Sequence, residues 1–227
     1  MRDVMMRPAL SSIEPFDDDS VGPAVHGFLH RPPGPPGRGL VLTHGAGSDC
    51  EAPVLLAIAT AFARAGVTVL RCDLPFRQAR ASGPPSPATA ARDREGLRRA
   101  VGALRPFVTG GISLGGHSYG GRQASMLAAD EPGLADALLL LSYPLHPSRR
   151  PTQRRTGHFG ALRTPALFVH GSRDPFGSLA EVNEARGLIA ARSDLVPVEG
   201  AGHDLTRGAS ELPLAAIVEA FARVRSG

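Results

Sequence analysis

Short apolar runs alternate along this chain with segments whose apolar residues recur every three or four positions. Residues 39–44 (Gly-Leu-Val-Leu-Thr-His), 67–71, 111–116, 137–142, 166–170 and 194–198 read as short buried strands. Between them Leu55, Ile58 and Phe62 mark one face of a helix predicted over 52–65, and Leu97, Val101 and Leu104 one over 88–104. Small residues carry a helix over 119–130, and two more are expected over 179–190 and 214–223. Leu214, Ile217, Val218, Phe221 and Val224 form the stripe of the last. Repeated strand-then-helix order predicts a parallel sheet with helices on both faces, an α/β fold. Residues 24–30 are expected to add an antiparallel edge strand, and 1–23 to be irregular or a further edge strand. The Pro- and Gly-rich stretches at 32–37 and 83–87 fall between elements, so the 227 residues read as one domain.

Composition narrows the chemistry. All 25 basic residues are arginine, which excludes a lysine Schiff base and a lysine-bearing phosphate loop. The formal charge of +4 is modest, and neither clustered charge nor a reading motif for nucleic acid stands out beyond one arginine-rich loop. Two cysteines, Cys50 and Cys72, permit at most one disulfide and suit a reducing compartment. The first twenty residues carry arginines and acids where a signal peptide needs an apolar core, and no run is long enough to span a membrane. A cytoplasmic protein with no membrane or nucleic-acid partner is expected. No H-E-x-x-H helix, cysteine cluster or paired-carboxylate spacing suggests a metal, and no dinucleotide fingerprint opens a first βαβ unit.

The segment from Gly110 to Arg122 contains G-x-S-x-G twice, centred on Ser113 and on Ser118. In so glycine-rich a stretch the bare pattern is weak, and context decides between the two. A nucleophile elbow needs a strand end, a strained turn at the serine and an immediate helix. Ser118 has a strand before it and a helix after it, whereas Ser113 lies inside the strand. The competing reading is a tightly packed β–α turn without chemistry.

A serine at its ordinary pKa needs a base to take its proton and a third group to hold that base. Asp174 falls in the loop after the 166–170 strand, and His203 in the loop after the last strand. In a parallel sheet such loops share one carboxyl edge, so the three residues can converge there. Alone, Asp174 reads as an Asp-Pro turn residue and His203 as a surface histidine; their order and placement with Ser118 make the coincidence improbable. The loop from Ser142 offers no alternative acid, and Asp204 is too close to His203 in sequence to bend back to it. His44 and His170 read as structural, bonding to loop backbone. Oxyanion donors are expected from the backbone amides of Tyr119 and Ala46, with Gly47 second to Ala46.

These residues resemble the α/β-hydrolase superfamily, in particular its compact dienelactone-hydrolase-like branch and small bacterial relatives of a hydrolase-like module in a chromatin acetyltransferase complex. His44-Gly45-Ala46-Gly47, Gly116 to Gly121, His170 to Asp174 and Gly202-His203 carry the likeness. It implies an eight-stranded, mostly parallel sheet without a large cap domain, and hydrolysis of a small carboxylic ester with no metal or organic cofactor. Dienelactone hydrolases proper carry cysteine where Ser118 stands, so their substrate does not transfer.

Four of the seven residues from 149 to 155 are arginines, on a segment expected to overhang the same edge. The arginines of this loop, Arg149 and Arg150 together with Arg154 and Arg155, are candidates for binding an acidic group on the substrate, against the simpler reading of a solvated loop. Arg77, after the 67–71 strand, is a further pocket candidate. The leading expectation is a serine esterase. The alternatives are a non-catalytic interaction module on the same fold, and an acyltransferase or perhydrolase using the same three residues.

Overall fold

The computed structural model describes residues 11–207 and 211–226. Eight strands form one sheet in the order β1-β2-β4-β3-β5-β6-β7-β8. They are β1 (Ser12–Asp18), β2 (Val25–Arg31), β3 (Gly39–Thr43), β4 (Thr68–Cys72), β5 (Ile112–His117), β6 (Leu138–Leu141), β7 (Ala166–Gly171) and β8 (Ser193–Val198). The pairs from β4 to β8 are parallel, and β1–β2 and β2–β4 are antiparallel. The six helices are α1 (Pro53–Arg64), α2 (Pro75–Ala79), α3 (Ala90–Leu104), α4 (Tyr119–Asp130), α5 (Leu179–Arg186) and α6 (Leu214–Arg225).

Strand alternation divides the core into two layers. Leu40, Leu42, Leu139, Leu141, Leu167 and Val169 face α1 and α6, where Phe62 meets Phe221 edge-on at 5.3 Å. Val41, Leu70, Leu114, Leu138, Leu140 and Phe168 face the other way, toward Leu97 of α3, Leu127 of α4 and Val182 of α5. The four consecutive leucines of β6 are fully buried because both faces of that strand are covered.

Two features depart from the expected layout. The strand expected near 24–30, β2, is antiparallel but pairs with β4 on one side and with β1 on the other; of the two readings for residues 1–23 an edge strand holds over Ser12–Asp18, and residues 1–10 lie outside the described residues. The sequence of β1, Ser-Ile-Glu-Pro-Phe-Asp-Asp, keeps a half-exposed alternation but carries three acids and a proline, which edges tolerate and which hide it from an apolar-run search. The short helix α2 lies between the strand expected over 67–71 and the helix expected over 88–104, where no element is expected, and is started by Pro75 at its first position. No described helix is long and apolar enough to cross a membrane.

Candidate active site

Ser118 directly follows β5 and directly precedes α4, at φ +50° and ψ −112°. That backbone is strained for a residue with a Cβ, and it holds the side chain out over the carboxyl edge of the sheet. The turn closes because glycine stands at 120. A Cβ there would lie 2.5 Å from the His44 carbonyl oxygen and 2.6 Å from Thr43 Cγ2. Without it the start of α4 packs directly on the end of β3, and the Gly120 amide donates to the His44 carbonyl at 3.1 Å.

Asp174 and His203 are fixed by one welded pair of loops. The Ser172 amide donates to the Val198 carbonyl at 3.0 Å and the Arg173 amide to the Ala201 carbonyl at 2.9 Å. Glycine at 171 allows the approach, since a Cβ there would lie 2.4 Å from the carbonyls of both Ala201 and Gly202. The Asp174 side chain is fully buried. Its Oδ1 accepts the Phe176 amide at 2.9 Å, and its Oδ2 accepts from His203 Nδ1 at 2.8 Å. The remaining nitrogen, Nε2, lies 2.8 Å from Ser118 Oγ. Because Nδ1 donates to a carboxylate, Nε2 carries the lone pair and accepts from the hydroxyl. The Phe176 ring packs 4.4 Å from the imidazole, limiting its rotation.

The residues around this chain of three are placed by hydrogen bonds to loop backbone. His44 is buried, donates from Nδ1 to the Gly45 carbonyl at 2.8 Å and accepts the Leu74 amide on Nε2 at 3.0 Å. His170 is buried and donates to the Gly177 carbonyl at 2.8 Å. Burial holds both rings below the ordinary histidine pKa, and both bond to loop backbone. Ala46 and Tyr119 follow adjacent strands and line the same cavity as Ser118, as does Gly47. Arg77 does not line that cavity. Its guanidinium is buried and spent on backbone, donating to the carbonyls of Ser48 at 2.9 Å and Ala46 at 3.0 Å, so it braces the loop after β3 from behind. Arg149 and Arg150 are exposed and also lie outside the cavity lining.

Three further residues emerge only with the fold. His117 lines the cavity and donates from Nε2 to the His203 carbonyl at 2.9 Å, steadying the loop that carries the imidazole. Burial holds its pKa below the ordinary histidine value. Asp93 of α3 is completely buried, accepting Tyr119 Oη at 2.7 Å and the Phe76 amide at 3.0 Å. Arg122, one helical turn after Ser118, lines the cavity with Met126. For His117 a signal existed, its place inside G-x-S-x-G. For Asp93 there was none, because its partners come from distant elements.

The cavity measures about 1190 Å³ and opens between the loop after β3, the prolines at 84–87, the first turns of α4 and the segment after β6. Among the described residues no group of three or more His, Cys, Asp or Glu side chains is placed to hold a metal ion.

A doubly covered parallel sheet with a strained serine between strand and helix defines the α/β-hydrolase class of fold. Residues 36–224 match the family model described as an alpha/beta hydrolase domain, and the chain belongs to that family. Among solved structures it is similar to Est1E from Butyrivibrio proteoclasticus, with TM-score 0.74 and 19% identity over 94% of this chain and 99% of that one. It is also similar to a dienelactone hydrolase from Anabaena variabilis, with TM-score 0.71 and 20% identity over 94% and 96%. A third is an α/β serine hydrolase homologue from Coxiella burnetii, with TM-score 0.70 and 20% identity over 92% and 96%. At these identities the likeness is one of fold. No cap domain stands over the site among the described residues.

Proposed function

We propose that this protein is a serine esterase that hydrolyses a small carboxylic ester or related acyl compound through an acyl-enzyme on Ser118. The observation that carries the proposal is the unbroken hydrogen-bonded line from Asp174 through His203 to Ser118, 2.8 Å at each step, opening on a cavity of substrate size.

In this reading His203 Nε2 takes the Ser118 proton as Oγ attacks the carbonyl carbon. Asp174 holds the ring and stabilises the imidazolium that forms. The backbone amides of Tyr119 and Ala46 face the developing oxyanion; such donors each contribute roughly a hundred- to a thousand-fold in rate. The protonated His203 returns the proton to the leaving alcohol. A water deprotonated by the same nitrogen then cleaves the acyl-enzyme, releasing the acid and restoring the serine. His117 and Arg77 are positioning residues here, one for the histidine loop and one for the loop of Ala46.

Within the family we place the chain with the compact, uncapped dienelactone-hydrolase-like members, supported by the open cavity and by the structural neighbours. The test is turnover of short-chain p-nitrophenyl esters. Wild type is expected to hydrolyse p-nitrophenyl acetate, and Ser118→Ala to lose at least about a thousand-fold in kcat with its circular dichroism unchanged. A folded wild type inert toward every short ester would leave the interaction-module alternative standing instead.

A further inference from the structure

The wall of the cavity beyond Ser118 is cationic and unneutralised. Arg122 reaches it from the first turn of α4 and Arg155 from the segment after β6, beside Pro144. Among the described residues no carboxylate pairs with either arginine, whereas neighbouring Arg154 reaches Glu184 at 3.2 Å. Arg122 Nε is buried and has no hydrogen-bond partner among the described residues. The Arg155 guanidinium donates only a long bond, 3.4 Å, to the Pro144 carbonyl. The charges on the two guanidiniums also act on each other, and Arg155 is pushed below its ordinary pKa by burial first and by Arg122 second. The adjacent His158 offers no compensation; burial and Arg122 lower it to about 4, and it bonds to Ser125 Oγ at 2.8 Å.

The carboxylates that line the same cavity are arranged differently. Asp49 and Glu51 belong to the loop after β3, on the other side of β5 from β6, and both are exposed. Asp204 is turned to its own loop, accepting from Thr206 Oγ1 at 2.6 Å and lying 3.3 Å from Arg207. Ser118 therefore sits between an acidic mouth and a half-buried basic wall. Two unpaired guanidiniums at one wall cost stability unless a ligand neutralises them, and a planar fork of donors suits carboxylate or phosphate oxygens.

We infer that the substrate carries an anionic oxygen group, carboxylate or phosphate, held by Arg122 and Arg155 a few bonds from its scissile carbonyl. The inference rests on the esterase reading and names its substrate class. Ser118, Arg122 and Arg155 line one cavity, with Arg122 on the first turn of the helix that Ser118 leads into, so an anion held by the arginines shares that cavity with the scissile carbonyl. A short half-ester of a dicarboxylic acid has this shape; a long neutral acyl chain does not use the wall.

The experiment compares monomethyl glutarate with methyl pentanoate, which differ only in a terminal carboxylate or methyl, for wild type, Arg122→Gln, Arg155→Gln and Arg149→Gln. The quantity read is the ratio of kcat/KM for the anionic over the neutral ester. It is expected to exceed about ten in wild type and to fall at least about tenfold in each of the first two variants, mainly through KM. Arg149→Gln keeps the wild-type ratio, and raised salt compresses it. In parallel, calorimetric binding of monomethyl glutarate and of inorganic phosphate to Ser118→Ala reads the wall without catalysis. Tighter glutarate binding assigns a carboxylate and tighter phosphate binding a phosphate, and either is expected to weaken about tenfold when Arg122→Gln is added. A ratio near one in wild type with neither anion bound overturns the inference while leaving the esterase reading intact. Anion binding without any ester turnover sinks the esterase reading alone.

Discussion

Replacing Asp174 by asparagine changes one atom and sets two demands against each other. Oδ1 accepts the Phe176 amide at 2.9 Å, and Oδ2 accepts from His203 Nδ1 at 2.8 Å. Asparagine offers one oxygen and one NH₂. If the oxygen stays on His203, the NH₂ faces the Phe176 amide, donor against donor, at a buried site. Such an unsatisfied pair costs about 1–3 kcal/mol. If the NH₂ faces His203 instead, Nδ1 must become the acceptor. The ring proton then moves to Nε2, which can no longer take the Ser118 proton from 2.8 Å away. The second arrangement keeps every buried bond, so it is the one the fold selects, and it is the wrong tautomer for catalysis. The expected loss is in kcat, about 10³- to 10⁴-fold, or about 4–5.5 kcal/mol in the barrier at 1.36 kcal/mol per decade. KM should move only a few-fold, and the melting temperature little. Steady-state hydrolysis of p-nitrophenyl acetate alongside thermal melts reads both. An Asp174→Asn protein that keeps a tenth or more of wild-type kcat refutes the reasoning, because the histidine would then find its tautomer without the carboxylate.

Gly120→Ala drives a methyl into the His44 carbonyl oxygen at 2.5 Å and Thr43 Cγ2 at 2.6 Å, both packed. About 1–3 kcal/mol of stability should be lost, with kcat falling more than tenfold as the Tyr119 amide shifts; a neutral effect on both by melt and turnover would contradict the close β3–α4 contact. Asp93 gives a pH signature. Burial raises its carboxyl above the ordinary 3.8, against the hydrogen bonds from Tyr119 and Phe76. The folded protein thus keeps a proton that the unfolded chain releases. Stability is full below about 3.8 and falls as pH rises from there through the raised folded value. Asp93→Asn removes this slope, so its melting temperature relative to wild type should rise across that window and flatten above it; a constant difference between pH 3.5 and 8 would show that Asp93 ionises as freely as in the unfolded chain.

Much of this was legible in the chain itself, for physical reasons that differ from element to element. The strands β3 to β7 announce themselves because they are buried and mostly apolar, as in Leu138–Leu141, and the half-exposed β8 by its run Leu195-Val196-Pro197-Val198. The helices α1, α3, α4 and α6 fall within two residues of their expected limits. α5 stops at Arg186, short of residue 190, because Gly187 follows and the chain turns toward β8. Ser118, Asp174 and His203 could be picked out because a parallel sheet sends its loops to one edge. β1 could be given only as one of two readings for residues 1–23, since an edge strand gains its partner from the sheet rather than from its own side chains. Arg77 and the Arg149–Arg150 pair show the limit for long side chains: sequence places the Cα near the edge, but a guanidinium can reach backbone behind a loop or remain in solvent as readily as enter the cavity. Arg122 was hidden for the converse reason, being read only as part of a helix.

The central claim is that one serine oxygen in this fold is activated. Incubation with a fluorophosphonate probe followed by peptide mapping addresses it directly: a fluorophosphonate phosphonylates an activated serine oxygen with loss of fluoride. A single adduct on the peptide carrying Ser118, absent from Ser118→Ala and strongly slowed in His203→Ala, is the predicted result. An adduct on Ser113, or no adduct on a folded protein, would contradict it.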